Sequence, residues 1–360
     1  MEYFLVTLLI SVFVLLQSYD LKNKYLSYIY YLIAIYVALA VGLKGNEDEY
    51  TRIFILIPNL EGFLNRPWIM LEKGIVFTFI CSTLKTLGFN SQALFILFSG
   101  GGILFYAYYF KRFTNYYFLA LFIYFCHGIQ FKEFVALRMA FVSVMVLPMI
   151  LLIIENKKIK FTVLLIFKTL IQYVGILSSI LLFVNKKYNR RLIVLIFLGS
   201  IIIQYIGIID QFFKLIVTLD YVPQVIRGYI GWDSLSYKLG ILHPKILQQI
   251  IVIVLLLIFY ERLGKNSKYF YPIFNTYFLS TVLFISFNHF ALFATRFAGH
   301  FYSVEPIIMT YLFLIFKERR IILLISIIAL LSISYINYVH LEKVEPYKLL
   351  IDQKIMINDY

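Results

Sequence analysis

Ile250-Ile-Val-Ile-Val-Leu-Leu-Leu-Ile-Phe259 is an unbroken apolar run of ten residues. It shows no alternation of apolar and polar positions, so it does not read as a half-exposed strand or as one face of a barrel. Extended over 244–260 it approaches the roughly 20 residues that a helix needs to cross hydrocarbon. Lipid offers no partner to open backbone groups, so a spanning run of this kind is a helix. The same pattern recurs near 2–18, 27–43, 73–90, 92–110, 116–131, 134–154, 160–184, 191–217, 270–288, 291–316 and 321–339. Eleven to thirteen transmembrane or re-entrant segments are therefore expected, in an all-α polytopic membrane protein forming one domain over 1–360.

Composition agrees. Of 360 residues, 62% are hydrophobic and 14% charged, against about 45–50% and about 25% in ordinary soluble domains. Such a chain cannot cover its surface with polar groups in water, which excludes a secreted or cytosolic enzyme and a DNA-binding module. The net charge of +14 sits in short runs between apolar stretches. Those runs are orientation signals and not a nucleic-acid patch. The N-terminus enters its apolar segment, Tyr3 to Leu16, without a basic region or a small-residue cleavage site, so it reads as a first membrane helix. Cys81 and Cys126 lie inside apolar stretches with no CxxC spacing, which points to neither a metal cage nor a disulfide framework.

Two connections are long, 44–71 and 218–243, and a tail of mixed character follows at 340–360. The basic runs at 22–24, 85, 111–112, 157–160, 186–191, 262–268 and 317–320 hold 18 Lys or Arg, and the connections that carry them hold only Asp20, Glu155, Glu261 and Glu318 as acids; the rest of the chain holds 15 of each. That asymmetry puts the runs in the cytoplasm and both long loops outside. Strict alternation then fails at 92–110 and at 160–184, each flanked by basic residues at both ends. Either a basic run lies outside, or a segment dips in and returns. Gly100-Gly101-Gly102 and Gly175 are where a membrane helix can break.

Ionisable and polar residues within apolar segments are the functional candidates. Arg138 sits near the outer end of its segment, where it can fork two donors onto a phosphate or carboxylate, or pair with Glu133 or Glu72. Arg296 and His300 are four residues apart, on one face of a helix, and Glu305-Pro306 beyond them is read as a kink. Glu72 opens the third segment, where an acid also favours the helix dipole. Glu47-Asp48-Glu49-Tyr50 begins the first long loop and offers a general base. Gln172 and Tyr173 lie mid-segment, where such groups often hydrogen-bond between helices. No Walker motif, GxGxxG, HExxH or other metal signature is present, so the chemistry is expected to need no metal and no cofactor.

In this order the features resemble the EpsG-like, Wzy-type group of O-antigen and exopolysaccharide polymerases. That family places an acidic-aromatic pattern after its second helix, where this chain has Glu47-Asp-Glu-Tyr50. A Glu-Pro-Gly-Phe-like start of the next helix is echoed by Glu72-Lys-Gly-Ile75, and an Ile-Arg-Gln-x-x-Ala-like stretch by Leu137-Arg138-Met-Ala140. A Phe-His-x-Ser-Ala-like stretch is echoed by Ile171-Gln172-Tyr173, with Gln where the family usually has His. A late Ser-Arg-x-x-x-Tyr/Phe-like stretch is echoed by Thr295-Arg296 to His300-Phe301.

The resemblance implies a glycosyltransferase of the bacterial cytoplasmic membrane with a periplasm-facing site. Its donor would be a growing glycan on undecaprenyl diphosphate. Its acceptor would be the terminal sugar hydroxyl of a repeat unit on the same lipid, as in lipopolysaccharide O-antigen synthesis, with a chain-length-regulating co-polymerase as a possible partner. Arg138 and Arg296 would steady the leaving diphosphate, and Glu72, Glu47 or Asp48 would take the hydroxyl proton. The two long loops would hold the sugars, with Arg227, Trp232 and His243 of the second loop as candidate glycan contacts. The chief rival is a flippase for lipid-linked oligosaccharides, which also needs intramembrane arginines but is usually built from two related halves; no half-repeat is evident. A membrane acyltransferase would show a clearer catalytic histidine than any of the five present.

Overall fold

The computed structural model describes residues 2–18, 24–43, 49–67, 73–128, 136–217, 238–240 and 242–315, with a few positions between 322 and 332. All regular structure among them is helical. Three helices are long and apolar enough to cross a membrane, Tyr25–Gly42, Ser91–Phe113 and Leu137–Ile154. Two bent pairs raise that number to five, and four shorter apolar helices accompany them. Among the described residues the apolar runs are helical, but several are divided; most of 321–339 and the tail 340–360 lie outside them. A break, a bend or a change of helix type interrupts stretches that hydropathy reads as continuous.

The chain divides into two compact units. The first comprises Met1–Pro148, Thr162–Ile176 and Phe316–Tyr360; the second comprises Met149–Phe161 and Leu177–Ile315. The first unit contains α1 (Glu2–Ser18), α2 (Lys24–Gly42), α3 (Glu49–Leu56), α4 (Leu60–Asn65), α5 (Ile75–Thr86), α6 (Ser91–Phe113) and α7 (Tyr117–Cys126). It also holds the start of α8 (Leu137–Ile154) and most of α9 (Lys158–Ile171).

Helix α2 buries Tyr30, Ala34, Val37, Ala38 and Val41, a stripe at helical spacing, while Tyr28, Leu32, Ile35 and Leu39 stay exposed. Both faces are apolar, which is the pattern of a helix with protein on one side and lipid on the other. Lipid tails are as apolar as leucine, so such helices associate through close packing and hydrogen bonds. Gly100 of α6 packs on the Ala38 carbonyl, where a Cβ would come within 3.1 Å, and Gly42 packs on Ile96. The Tyr30 hydroxyl donates to the Ala107 carbonyl at 2.9 Å. Gln92 donates to the Gly42 carbonyl at one end of this antiparallel pair, and Lys111 meets Ser27 at the other.

The glycines of 92–110 do not break the helix. A π-helical turn over Ile96–Gly100 takes up the extra residue, and α6 runs 23 residues without a gap. The charge pattern at its ends also resolves. Lys85 donates to the carbonyls of Ile55 and Ile57, 2.8 Å each, at the C-terminal end of α3. It therefore lies beside the end of α3 and shares a membrane side with it. Grouped with the end of α3 instead of with the basic runs, Lys85 no longer conflicts with α6 as a spanning helix. The segment 160–184 does divide: α9 stops at Ile171, and a 3-10 helix continues over Tyr173–Phe183.

The second unit contains the remainder of α8, then α10 (Arg190–Ile206), α11 (Ile208–Val217), α12 (Pro244–Ile258), α13 (Tyr260–Asn266), α14 (Phe270–Ser286), α15 (Ala291–Phe301) and α16 (Glu305–Phe313). Helix α14 is its centre, buried from Phe270 to Ser286 with few exceptions. The Ser280 hydroxyl donates to the Ala298 carbonyl at 2.9 Å, which holds α15 against it. Lys187 and Glu261 form an ion pair at 2.5 Å. The hydrogen bond from Lys187 holds the Glu261 carboxyl below its usual range. The pair joins two connections that the charge pattern places on one side of the membrane.

Candidate functional site

In the first unit three helices begin at one place. Tyr50 lies in the first turn of α3, Phe77 in the first turn of α5 and Arg138 in the first turn of α8. The Tyr50 and Phe77 rings meet edge to face, 6.3 Å between centroids. The Arg138 guanidinium lies 5.1 Å from the Phe77 centroid and 6.0 Å from that of Tyr50. Each helix start carries unsatisfied N–H groups and a partial positive charge. A guanidinium held among three of them is electrostatically unfavourable unless an anion is near. The sequence puts acids just ahead of these starts, Glu47, Asp48 and Glu49 before Tyr50, Glu72 before Gly74 and Glu133 before Leu137.

The start of α5 is shaped by Gly74. Its φ is +92°, in the region that favours glycine, and a Cβ there would lie 2.1 Å from the Ile171 carbonyl oxygen. Only glycine lets the two backbones approach this closely. One residue earlier, the Lys73 carbonyl accepts a hydrogen bond from Arg138 Nη1. That bond and the Phe77 ring fix the side chain, while Arg138 Nε is buried without a hydrogen-bond partner.

Across from Gly74, α9 ends. Gln172 N donates to the Lys168 carbonyl at 3.1 Å, and Gly175 N donates to the Gln172 carbonyl at 2.8 Å. The Gln172 Oε1 atom is buried with no partner. Arg138, Tyr50 and Gln172, chosen from sequence for different reasons, thus gather around Lys73-Gly74. Tyr173 does not join them closely, since it is exposed on the surface of the unit. Glu72, Glu47, Asp48 and Arg227 lie outside the described residues, as do Lys132, Glu133 and Trp232.

Arg296 and His300 belong to the second unit, on α15. His300 is fully buried and Arg296 is partly so. His243, a candidate glycan contact, serves its own helix: the ring nitrogen Nδ1 accepts from Lys245 N at 3.3 Å and caps α12. Glu305-Pro306 does not kink a helix. It starts α16 after a short 3-10 turn over Tyr302–Val304, with proline in the first turn where its missing N–H costs nothing.

Sequence reading missed two buried charges. Glu305 is 3% exposed and accepts from Lys245 Nζ at 3.1 and 3.3 Å, from Gln248 Nε2 at 3.0 Å and from the Tyr302 hydroxyl. Lys245 also lies 4.0 Å from the Tyr302 ring centroid. With so many donors the carboxylate is a strut between α12 and α16 and a poor base. Lys168 in the first unit is fully buried; it stands inside an apolar segment, and that placement alone marks it as an intramembrane cation.

No curated protein and no solved structure matches the chain. A model described as the EpsG family matches residues 25–349, nearly the whole chain. The stretch takes in every element that builds the arginine site, from Tyr50 to Gln172, as well as α15 with Arg296 and His300. The protein therefore belongs to the EpsG family, a Wzy-like polysaccharide polymerase family.

Proposed function

We propose that the protein extends a surface polysaccharide at the periplasmic face of the bacterial inner membrane, using undecaprenyl-diphosphate-linked repeat units as donor and acceptor. The hydroxyl of the acceptor's terminal sugar attacks the anomeric carbon of the donor glycan. A glycosidic C–O bond forms, the C–O bond to the diphosphate breaks, and undecaprenyl diphosphate departs with the bonding electrons. The hydroxyl proton passes to a carboxylate and from there to solvent or the leaving group. Negative charge grows on the diphosphate as it leaves, so fixed positive charge at that point lowers the barrier.

The observation that carries this reading is Arg138, pinned by the Lys73 carbonyl and the Phe77 ring at the shared start of three helices, with Nε buried and unbonded. Half-length helices whose N-termini point at an anionic group recur where membrane proteins bind charged substrates. Glu72, Glu47 and Asp48 precede two of these starts in sequence and are the proposed bases. Tyr50, Gln172, Tyr173, Arg227, Arg296 and His300 are the further residues proposed to bind the diphosphate or the glycan, Arg296 being the second candidate for the departing diphosphate. A co-polymerase that sets chain length is the proposed partner.

The test is a glycan ladder from a deletion strain complemented with wild type or with Arg138→Ala. Deletion should leave a lipid A core bearing a single repeat, and only wild type should restore the ladder. Loss of all exported repeats would indicate the flippase reading instead. A normal ladder from correctly inserted Arg138→Ala protein would remove the arginine from the reaction.

A further inference from the structure

Residues 191–217 read as one apolar segment, but the chain folds at Gly207 into two helices of different character. Helix α10 has 17 residues, a length of about 25 Å. It starts at the basic run 186–191, and that length takes it most of the way across hydrocarbon about 30 Å thick. Gly207, at a φ of +72°, ends α10 in the left-handed conformation, and α11 leaves at an angle of 55°. Two contacts hold the corner. His289 Nε2 donates to the Gln204 carbonyl at 2.8 Å. The Phe213 ring packs on those of Phe287, Phe290 and Phe293, at 6.2, 5.2 and 4.9 Å between centroids.

Around α11 the side chains fall on three faces. Phe213 is turned to protein. Ile208, Phe212 and Leu215, at i, i+4 and i+7, share a second face and are 48, 57 and 63% exposed. Asp210 and Lys214, also four apart, share the third. They pair at 2.8 Å with the lysine side chain 71% exposed, and Gln211 beside them is exposed too. An exposed ion pair is costly on a helix inside hydrocarbon, and a row of exposed large apolar side chains is costly in water. Both are satisfied at the membrane interface, with acyl chains on one face and headgroup water on another. The apolar face also continues one on α10, where Leu195, Leu198 and Ile202 are exposed at helical spacing, the side that a spanning helix turns to lipid.

We propose that α11 is an in-plane helix resting on phospholipid at the interface opposite the 186–191 run, which the charge pattern makes the extracytoplasmic one. Ile208 and Phe212 enter the acyl chains, and the Asp210–Lys214 pair lies among the headgroups. Lipid is the occupant of the apolar face because that face runs on from the lipid side of α10 and is flanked by a hydrated ion pair. Through Phe213 and Phe293 the helix ties the leaflet to the first turn of α15, one turn before Arg296.

Nitroxide labels on single cysteines test this in the full chain, reconstituted in vesicles of phosphatidylethanolamine and phosphatidylglycerol; the two native cysteines are buried. Oxygen concentrates among acyl chains, whereas a chelated nickel complex stays in water. Labels at Ile208→Cys and Phe212→Cys should collide preferentially with oxygen, as a label at Ile202→Cys on α10 does. Labels at Gln211→Cys and Lys214→Cys should shift the preference to nickel. Oxygen preference at all four positions would make α11 a continuation of the span and overturn the proposal. Nickel preference at all four would place α11 clear of the bilayer and overturn it equally. Low collision with both reagents at 208 and 212 would mean that a second copy or another protein covers the face, and lipid would be the wrong occupant. If a substitution lowers the melting temperature in detergent, Leu215→Cys replaces it on the apolar face and Asp210→Cys on the polar one.

Discussion

Arg138 shows how the surroundings of one side chain give it a role. An arginine near the end of a membrane helix can snorkel to water. Here its Nη1 is spent on a backbone carbonyl and its face on an aromatic ring, so it is held in place. Removing a donor that acts on developing charge typically costs about 10²- to 10³-fold in rate. Arg138→Ala should lower polymerisation by that order in a single-turnover assay, and Arg138→Lys should recover only a small part because an ammonium cannot reproduce the fork. Equal rates for wild type and Arg138→Ala would show that the guanidinium is structural. Gly74 is constrained more simply. A Cβ placed 2.1 Å from a carbonyl oxygen, at a φ of +92°, forces the α5 start away from α9. Gly74→Ala should cost more than the roughly 1–3 kcal/mol of backbone strain alone, seen as a lower melting temperature in detergent. An unchanged melting temperature would mean that the two backbones can part without loss.

Helix pairs in this protein are held by small residues and by polar groups placed between apolar faces. The adjacent glycines of α6 make a direct comparison. A Cβ at Gly100 meets the Ala38 carbonyl at 3.1 Å, whereas at Gly101 it meets nothing within 4 Å. Gly101→Ala should be neutral or stabilising by about 0.5–1 kcal/mol, from the better helix propensity of alanine. Gly100→Ala should destabilise by pushing α2 away, and Gly100→Leu more so. Melting curves of the purified variants decide it, and identical losses at both positions would contradict the packing described. In the second unit the Lys245–Glu305 pair ties α12 to α16. Removing one member of a buried pair strands the other, at about 3–5 kcal/mol; the low end is expected because Lys245 keeps 19% side-chain exposure. Glu305→Gln should therefore unfold earlier than wild type. Glu305→Gln with Lys245→Met should recover stability, and failure to recover would point to a role for the carboxylate beyond the pair.

For the whole molecule the sharpest question is orientation. The excess of basic residues in some connections predicts that they face the cytoplasm, while the structure groups Lys85 with the end of α3 through its bonds to Ile55 and Ile57. A cysteine at Phe89, an exposed position just past α5, should then react with a membrane-impermeant maleimide added to spheroplasts. A cysteine at Lys157 should react only after permeabilisation. The two native cysteines are buried and give little background. Labelling of both sites from the same side would reverse this arrangement of α6.

Much of the architecture is legible from residues alone. Composition and long apolar runs dictate an all-helical membrane protein, because backbone groups in lipid must pair within their own segment. The rarity of charge inside those runs singles out Arg138, and the cost of burying a cation makes it informative. What hydropathy does not encode is where a continuous apolar run divides. Gly175 marks 160–184 as a segment that can break, as the tri-glycine of α6 does for one that stays whole, so glycine alone does not say which run divides or that α9 ends at Ile171. The break depends on Gly74 fitting against a carbonyl from a segment nearly a hundred residues away. Nor does sequence say which charges are occupied: Lys85 reads as an orientation signal until its carbonyl partners are seen, and Glu305 reads as a kink until Lys245 reaches it. Local hydrophobicity and charge, which need no coordinates, set the solvent, the helical class and the few costly polar residues. Which of those residues share one place is settled in three dimensions, because hydrogen bonds, close backbone approach and the convergence of helix ends join residues far apart in the chain.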